Sequence, residues 1–263
     1  MRIGIIGAGA IGSYVRDKAI ERGHDIRALL LRSETLERHT AELVGTLCVD
    51  AVADLPDDIE LMIDCAGHAG LLAHGPDILR GGTDLTTVSL GALADADAFR
   101  RLQRAASDGG TTLHLASGAI GALDCLRAAR IGGLQSVTYI GRKPPQSWRG
   151  SPAEDKLDLA NLIAGAETHF EGPARKAAIE YPKNANVAAA VALAGIGFDD
   201  TRVRLIADPS VNENIHEIQA SGKFGSFCFE IRGNSLPDNP RSSALAAMSV
   251  VSKLDEQSQS IVF

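Results

Sequence analysis

The sequence is poor in aromatic residues, in cations, in paired cysteines and in long apolar runs, and each shortage closes off a class of function. Aromatics make up 4% of the chain and apolar residues 45%. A core with so few rings must be built mostly of Ala, Val, Ile and Leu, a usage common where helices pack closely on a parallel sheet. Lys and Arg number 26 against 33 Asp and Glu, a formal net charge of -7. That balance argues against DNA or RNA as the main partner, yet local cations still suffice for an anionic small molecule. The four cysteines, Cys48, Cys65, Cys125 and Cys228, form no CxxC pair. No zinc site is expected, and the thiols are expected reduced and mostly buried in a cytoplasmic protein. Residues 1–6 are too short an apolar run for a signal peptide. No stretch approaches the roughly 20 apolar residues that cross a bilayer, so no membrane partner is expected. No internal repeat or low-complexity segment is visible.

The 263 residues suit one large domain or two modest ones. In the first half, short apolar runs alternate with amphipathic stretches. Strands are predicted at 3–6, 26–31, 60–65, 87–90 and 112–115, with helices at 10–22, 69–79 and 94–107. Such alternation implies right-handed crossovers and a parallel sheet. After about residue 123 the pattern changes. A helix at 124–130 is followed by strands at 136–140, 168–171, 202–208, 214–220 and 225–231, with a hairpin turn at 222–225. Arg142-Lys143-Pro144-Pro145 reads as a loop, 185–194 as an Ala-rich helix and 243–254 as a last helix. The expected organisation is a dinucleotide-binding domain over 1–122 and an α+β substrate domain over 123–239, with the segment 240–263 packing back on the first.

Gly7-Ala8-Gly9-Ala10-Ile11-Gly12 fits GxGxxG between a strand and a helix. Gly7 permits the tight turn, Gly9 lets the backbone approach a pyrophosphate, and Gly12 lets the helix sit close to the sheet. The amides of Ala10, Ile11 and Gly12 then open a helix whose positive end suits phosphates. An acid at the end of the second strand would accept the ribose 2′-OH of NAD. Here the strand ends in Leu29-Leu30-Leu31-Arg32-Ser33, and Arg32 can hold a 2′-phosphate. NAD or NADP is therefore expected, with NADP acceptance favoured, against a plain solvated Arg32 beside Glu34.

The second half carries polar clusters. Residues 117–122, Ser-Gly-Ala-Ile-Gly-Ala, suit either close passage of a ligand or a tight domain crossover. Lys183, Asn184 and Asn186 open the Ala-rich helix. Capping explains one Asn, but a Lys fits poorly at the positive end of a helix unless an anion binds there. Asn212, Asn214 and His216 alternate on one strand face. His216 is the histidine best suited to proton transfer near neutral pH. His24, His39, His68, His74, His114 and His169 are assigned plain surface or core roles, with His68 a weak candidate for approaching a cofactor.

With these segments in view, together with Ser89 to Asp95 and Tyr181 to Ala188, the chain resembles the L-aspartate dehydrogenase family over nearly its whole length. The resemblance implies a Rossmann domain followed by a substrate domain like that of dihydrodipicolinate reductase. It implies NAD(P)-dependent oxidation of L-aspartate to iminoaspartate, a precursor for quinolinate and so for NAD, and a homodimer. The family's active-site histidine falls on His216, and its cofactor-binding alanine and asparagine fall on Ala119 and Asn186. His216 is read either as the base near the amine or as a hydrogen-bonding group that assists water attack on the imine. Lys183 is the first candidate for the substrate carboxylates, with Asn214 on the substrate face and Arg142, Lys143 and Arg241 behind it. Two other readings are a reductase or dehydrogenase of another small amino acid or imine on the same scaffold, and a non-catalytic NAD(P)-binding redox sensor. A semialdehyde dehydrogenase would need an activated cysteine, and no activating partner is visible for Cys125 or Cys228.

Overall fold

The computed structural model describes residues 1–43, 45–182, 185–236 and 239–261. The chain divides into two compact units, one of Met1–Ala116 with the residues from Ala246 onward, the other of Ser117–Leu245. The first unit contains, in chain order, β1 (Arg2–Ile6), α1 (Ala10–Glu21), β2 (Asp25–Leu30), α2 (Ser33–Glu42), β3 (Leu47–Val49), β4 (Leu61–Asp64), α3 (Gly67–Arg80), β5 (Asp84–Thr87), α4 (Ala96–Gly109) and β6 (Leu113–Leu115). Its six strands run parallel in the order β3-β2-β1-β4-β5-β6. That is the doubly wound order of a dinucleotide-binding sheet. Parallel strands covered on both faces need near-continuous apolar sequence, and β4 is buried at every position. Ile3, Ile5, Leu29, Leu61 and Ile63 form the core with Val15 and Ala19 of α1.

The second unit contains α5 (Leu123–Gly132), β7 (Leu134–Lys143), β8 (Glu167–Pro173), α6 (Ala174–Glu180), α7 (Ala185–Ala194), β9 (Arg202–Ala207), β10 (Asn214–Gly222), β11 (Gly225–Gly233), β12 (Ser235–Leu236) and β13 (Asn239–Ser243), after which α8 (Ala244–Ser258) leads back into the first unit. Val250, Val251 and Leu254 of α8 lie in the first unit's core. Burying each of these side chains stabilises by roughly 1.5–3 kcal/mol as an upper estimate. The second unit's main sheet is mixed, in the order β11-β10-β7-β9-β8, with β7 and β9 parallel and the other pairs antiparallel. Gly222 and Gly225 face each other across the two-residue Lys223-Phe224 turn, which is the expected hairpin.

Several expectations are corrected. The strand predicted at 87–90 lies at Asp84–Thr87, and Leu90–Ala94 forms a 3-10 turn. The buried polar pair Thr86-Thr87 hides a strand that hydropathy alone shifts forward. Helix α2 was not expected, because it has no buried residue to set a periodic pattern. Strand β7 extends to Lys143, so Arg142-Lys143 is strand and not loop; pairing with β9 as far as Ala207 holds it extended. Asn212 precedes β10 and does not share its strand face with Asn214 and His216. Cys125 and Cys228 are exposed and Cys48 and Cys65 half-buried, against the expectation of mostly buried thiols. Among the described residues, no helix is long and apolar enough to cross a membrane.

Candidate active site

The glycine loop divides its labour as steric necessity requires. Gly7 sits at φ +88°, where a side chain is strained. A Cβ at Gly12 would lie 2.1 Å from the Gly7 carbonyl oxygen, so α1 can approach the loop only with glycine there. A Cβ at Gly9 would meet no heavy atom of the described residues within 4 Å. The protein itself does not need Gly9 bare, and the open space lies where a pyrophosphate would rest against the backbone. No side chain caps α1, and no acid occupies its first turn. The amides there are left to a ligand, and no carboxylate repels an anion. The residues fit a dinucleotide.

The contrast gives a test. Gly9→Ala should fold with a nearly unchanged Tm, while the KM for NAD(P) rises about tenfold or more, since backbone approach to the phosphates depends on glycine. Gly12→Ala should lower the Tm as well. Thermal melts with cofactor titrations check both.

Beside the loop, Asp64 is fully buried at the end of β4. It accepts hydrogen bonds from Thr87 Oγ1 and Ser89 Oγ, both at 2.7 Å, and from the Ala66 amide at 2.9 Å. Burial raises its pKa and the three donors oppose the rise. The network ties the segments after β4 and β5 together, and a Cβ on Gly7 would stand 3.0 Å from Ala66 Cβ. Arg32 occupies the N-cap position of α2 without a side-chain capping bond, and its side chain is 80% exposed, with Glu34 at 3.9 Å. An exposed pair at that distance is worth little, so the guanidinium remains available.

The second unit's site grows from the alternation of β7. Tyr139, Gly141 and Lys143 point to one face, and Gly141 pairs with His216 of β10. A Cβ on Gly141 would meet Tyr139 Oη at 2.8 Å and Leu205 Cδ2 at 3.2 Å. Without one, the buried phenol lies across position 141 and its Oη reaches His216 Nδ1 at 2.8 Å. The two rings stack with centroids 6.0 Å apart. His216 is 4% exposed, and its pKa falls to about 3, first from burial and then from the charge of Lys143. The imidazole is therefore neutral near pH 7 and a poor proton acceptor, which weighs against the general-base reading.

Lys143 is half-buried with Nζ 5.1 Å from the centre of the Trp148 ring. Loss of solvent lowers its pKa to about 8. Trp148 is itself fixed, its indole N–H donating to the Ile206 carbonyl at 3.1 Å. His169 meets the same indole edge-on at 4.3 Å. It stands at the register shift between Thr168 and Phe170 of β8, a bulge that re-aims its ring. Its Nδ1 contacts Tyr181 Oη at 3.1 Å, and its Nε2 is buried without a hydrogen-bond partner in the described structure. Burial, Lys156 and Lys143 lower its pKa to about 4. The sheet thus gathers Lys143 with two neutral histidines, each with a tyrosine on Nδ1, and Lys156 stands beside His169 and Tyr181. Sequence alone leaves His169 in a plain role, because no spacing links it to Lys143.

Asn214 opens β10, half-buried, two residues before His216. Ala119 is buried just ahead of α5, after Gly118 at φ +73°. Asn186 is the second residue of α7. Arg142 pairs with Asp208 at 2.5 Å and points from the opposite face of β7. Lys183 lies outside the described residues, as does the side chain of Arg241. Cys228 donates to Glu217 Oε1 at 3.4 Å. Desolvation and that carboxylate raise its pKa, the reverse of what a nucleophile needs.

Comparison with known proteins agrees over the full length. Residues 124–257 match the family described as "Aspartate dehydrogenase, C-terminal", and residues 3–116 match "Homoserine dehydrogenase, NAD binding domain". The chain is 52% identical to an L-aspartate dehydrogenase of Ruegeria pomeroyi, with 99% of this chain and 94% of that protein aligned. It is 43% identical to an L-aspartate dehydrogenase of a Polaromonas species, covering 100% and 99%. The crystal structure of aspartate dehydrogenase from Thermotoga maritima superposes with a TM-score of 0.79 at 26% identity, covering 100% of this chain and 99% of that one.

Proposed function

This chain belongs to the L-aspartate dehydrogenase family, and from that premise we propose how its residues perform the NAD(P)-dependent oxidative deamination of L-aspartate to iminoaspartate, which hydrolyses to oxaloacetate and ammonia. The observation that carries the assignment of roles is the Lys143 cation beside a neutral His216 on one sheet face. Such a site offers an anionic substrate both a charge and an uncharged hydrogen-bonding ring at neutral pH.

When bound, NAD(P)+ supplies the hydride acceptor. Gly7, Gly9 and Gly12, with the amides of Ala10 and Ile11, hold its pyrophosphate; Ala119 and Asn186 hold it further along. Lys143 binds a substrate carboxylate. Lys183, which precedes α7 in the sequence, is the other cation proposed for the carboxylates, while Arg142 pairs with Asp208. His216, with Asn214 beside it, hydrogen-bonds the substrate and orients it. The exclusion of water around His216 strengthens each of these contacts.

Arg32 is proposed to accept a 2′-phosphate. Purified enzyme should reduce both NAD+ and NADP+ when L-aspartate is added. Arg32→Ala should raise the KM for NADP+ about tenfold and leave that for NAD+ unchanged, since a rim charge–phosphate contact contributes about 1.4 kcal/mol or more. Equal effects on both cofactors would remove Arg32 from the selectivity. Turnover with another amino acid or imine but not with aspartate would keep the fold and refute the substrate.

We also propose that the second unit shares its plan with dihydrodipicolinate reductase, supported by the mixed five-stranded sheet and the helices packed on it. A homodimer is proposed on the family resemblance, and the cytoplasm on the four free thiols.

A further inference from the structure

The roles proposed above leave open which nitrogen of His216 carries its proton, and the surroundings of Tyr139 bear on that question. Tyr139 is 2% exposed, so its hydroxyl hydrogen must find an acceptor within the protein. Its hydrogen-bond partner among the described residues is His216 Nδ1, at 2.8 Å. If Nδ1 carried the imidazole proton, it would donate to the phenol oxygen and leave the phenol's own O–H buried without an acceptor. If the phenol donates, both groups are satisfied. Burial also holds the phenol's pKa well above its usual value, so the hydroxyl keeps its proton to give. Lys143 on the same face opposes a second proton on the ring.

Resting on the role given to His216 above, we propose that Tyr139 is a positioning residue. Its hydroxyl donates to His216 Nδ1, fixes the single imidazole proton on Nε2, and so presents His216 to the substrate as a hydrogen-bond donor. A neutral donor beside a lysine cation suits a dicarboxylate. Gly141 is part of the device. Its missing Cβ is what lets the phenol cross to His216, since a methyl there would stand 2.8 Å from Oη. The register explains why: Gly141 lies on β7 two residues after Tyr139, directly opposite His216 of β10.

The test combines nitrogen-15 NMR of histidine-labelled enzyme with kinetics. His216→Asn identifies the His216 resonances among the seven histidines. In the wild type, His216 should show the Nε2–H tautomer. In Tyr139→Phe the preference should be lost, and kcat/KM for aspartate should fall about 10- to 100-fold, by analogy with loss of the outer hydrogen-bond partner of a metal-bound histidine. The KM for NAD(P)+ should not move. Gly141→Ala, which keeps the phenol but displaces it, should give the same tautomer change and the same kinetic loss. An Nδ1–H tautomer in the wild type would overturn the proposal. So would a tautomer or a kcat/KM that survives in both variants. Full activity of His216→Asn would refute the role of His216 itself, and the wild-type tautomer would still report separately on the hydrogen bond.

Discussion

Replacing His216 with alanine is expected to lower kcat/KM for aspartate by about 10²-fold or more, the usual loss when one preorganised hydrogen-bonding group is removed from a reacting centre. The side chain is 4% exposed and bonded to a buried tyrosine. Alanine would therefore also leave a cavity and an unsatisfied phenol, with a lowered Tm. His216→Asn separates the two effects, because its amide can restore a partner for Tyr139. The asparagine variant should recover much of the stability and little of the activity. The pH profile carries a further signature. With a pKa near 3, His216 gives kcat/KM no acid limb between pH 5 and 8. An acid limb near pH 6 that vanished in His216→Asn would restore the general-base role.

Lys143→Met should raise the KM for aspartate on the order of 10²-fold, because a desolvated cation–carboxylate contact is worth about 2–5 kcal/mol by truncation. Cofactor affinity should be unchanged. The folded-state pKa, about 8, lies below the ordinary lysine value of 10.5 because the ammonium is desolvated. The unfolded chain then binds the proton more tightly, and below about pH 8 the buried charge opposes folding. Lys143→Met should accordingly lose function without losing Tm at pH 7, as expected for a cation kept for binding at a cost in stability. In the wild type, the KM for aspartate should climb as pH rises above about 8, as the free enzyme's ammonium is lost. The methionine variant should show a high KM with no such climb. His169 and His216 both face this charge, and its removal should raise the pKa of each toward the ordinary histidine value.

The glycine loop was legible because its causes are local: a turn, a close approach and a helix start lie within six residues of sequence. Sheet class followed from the alternation of strand and helix. The proposed substrate face was only half legible. His216 stood out because its strand alternates polar and apolar residues. Lys143 stood only behind Lys183, since Arg142-Lys143-Pro144-Pro145 resembles a loop until β9, some 60 residues later, is seen to pair with β7 through Lys143, and Tyr139 lay in an expected strand with nothing local to show that its hydroxyl meets His216. The same is true of His169, whose placement depends on a bulge. Bulges and long-range pairing are set by partners distant in sequence. Helix α2 illustrates the other limit, since an element with no buried face leaves no hydrophobic period to read.

The central claim, hydride removal from aspartate Cα by a cofactor held at the glycine loop, is tested most directly with L-aspartate deuterated at Cα. Incubated with the purified enzyme and NADP+ or NAD+, it should transfer deuterium into the reduced nicotinamide, detected by mass spectrometry, and Gly9→Ala should slow the transfer. Reduced cofactor without deuterium, or no reduction with aspartate at any cofactor concentration, would contradict the account.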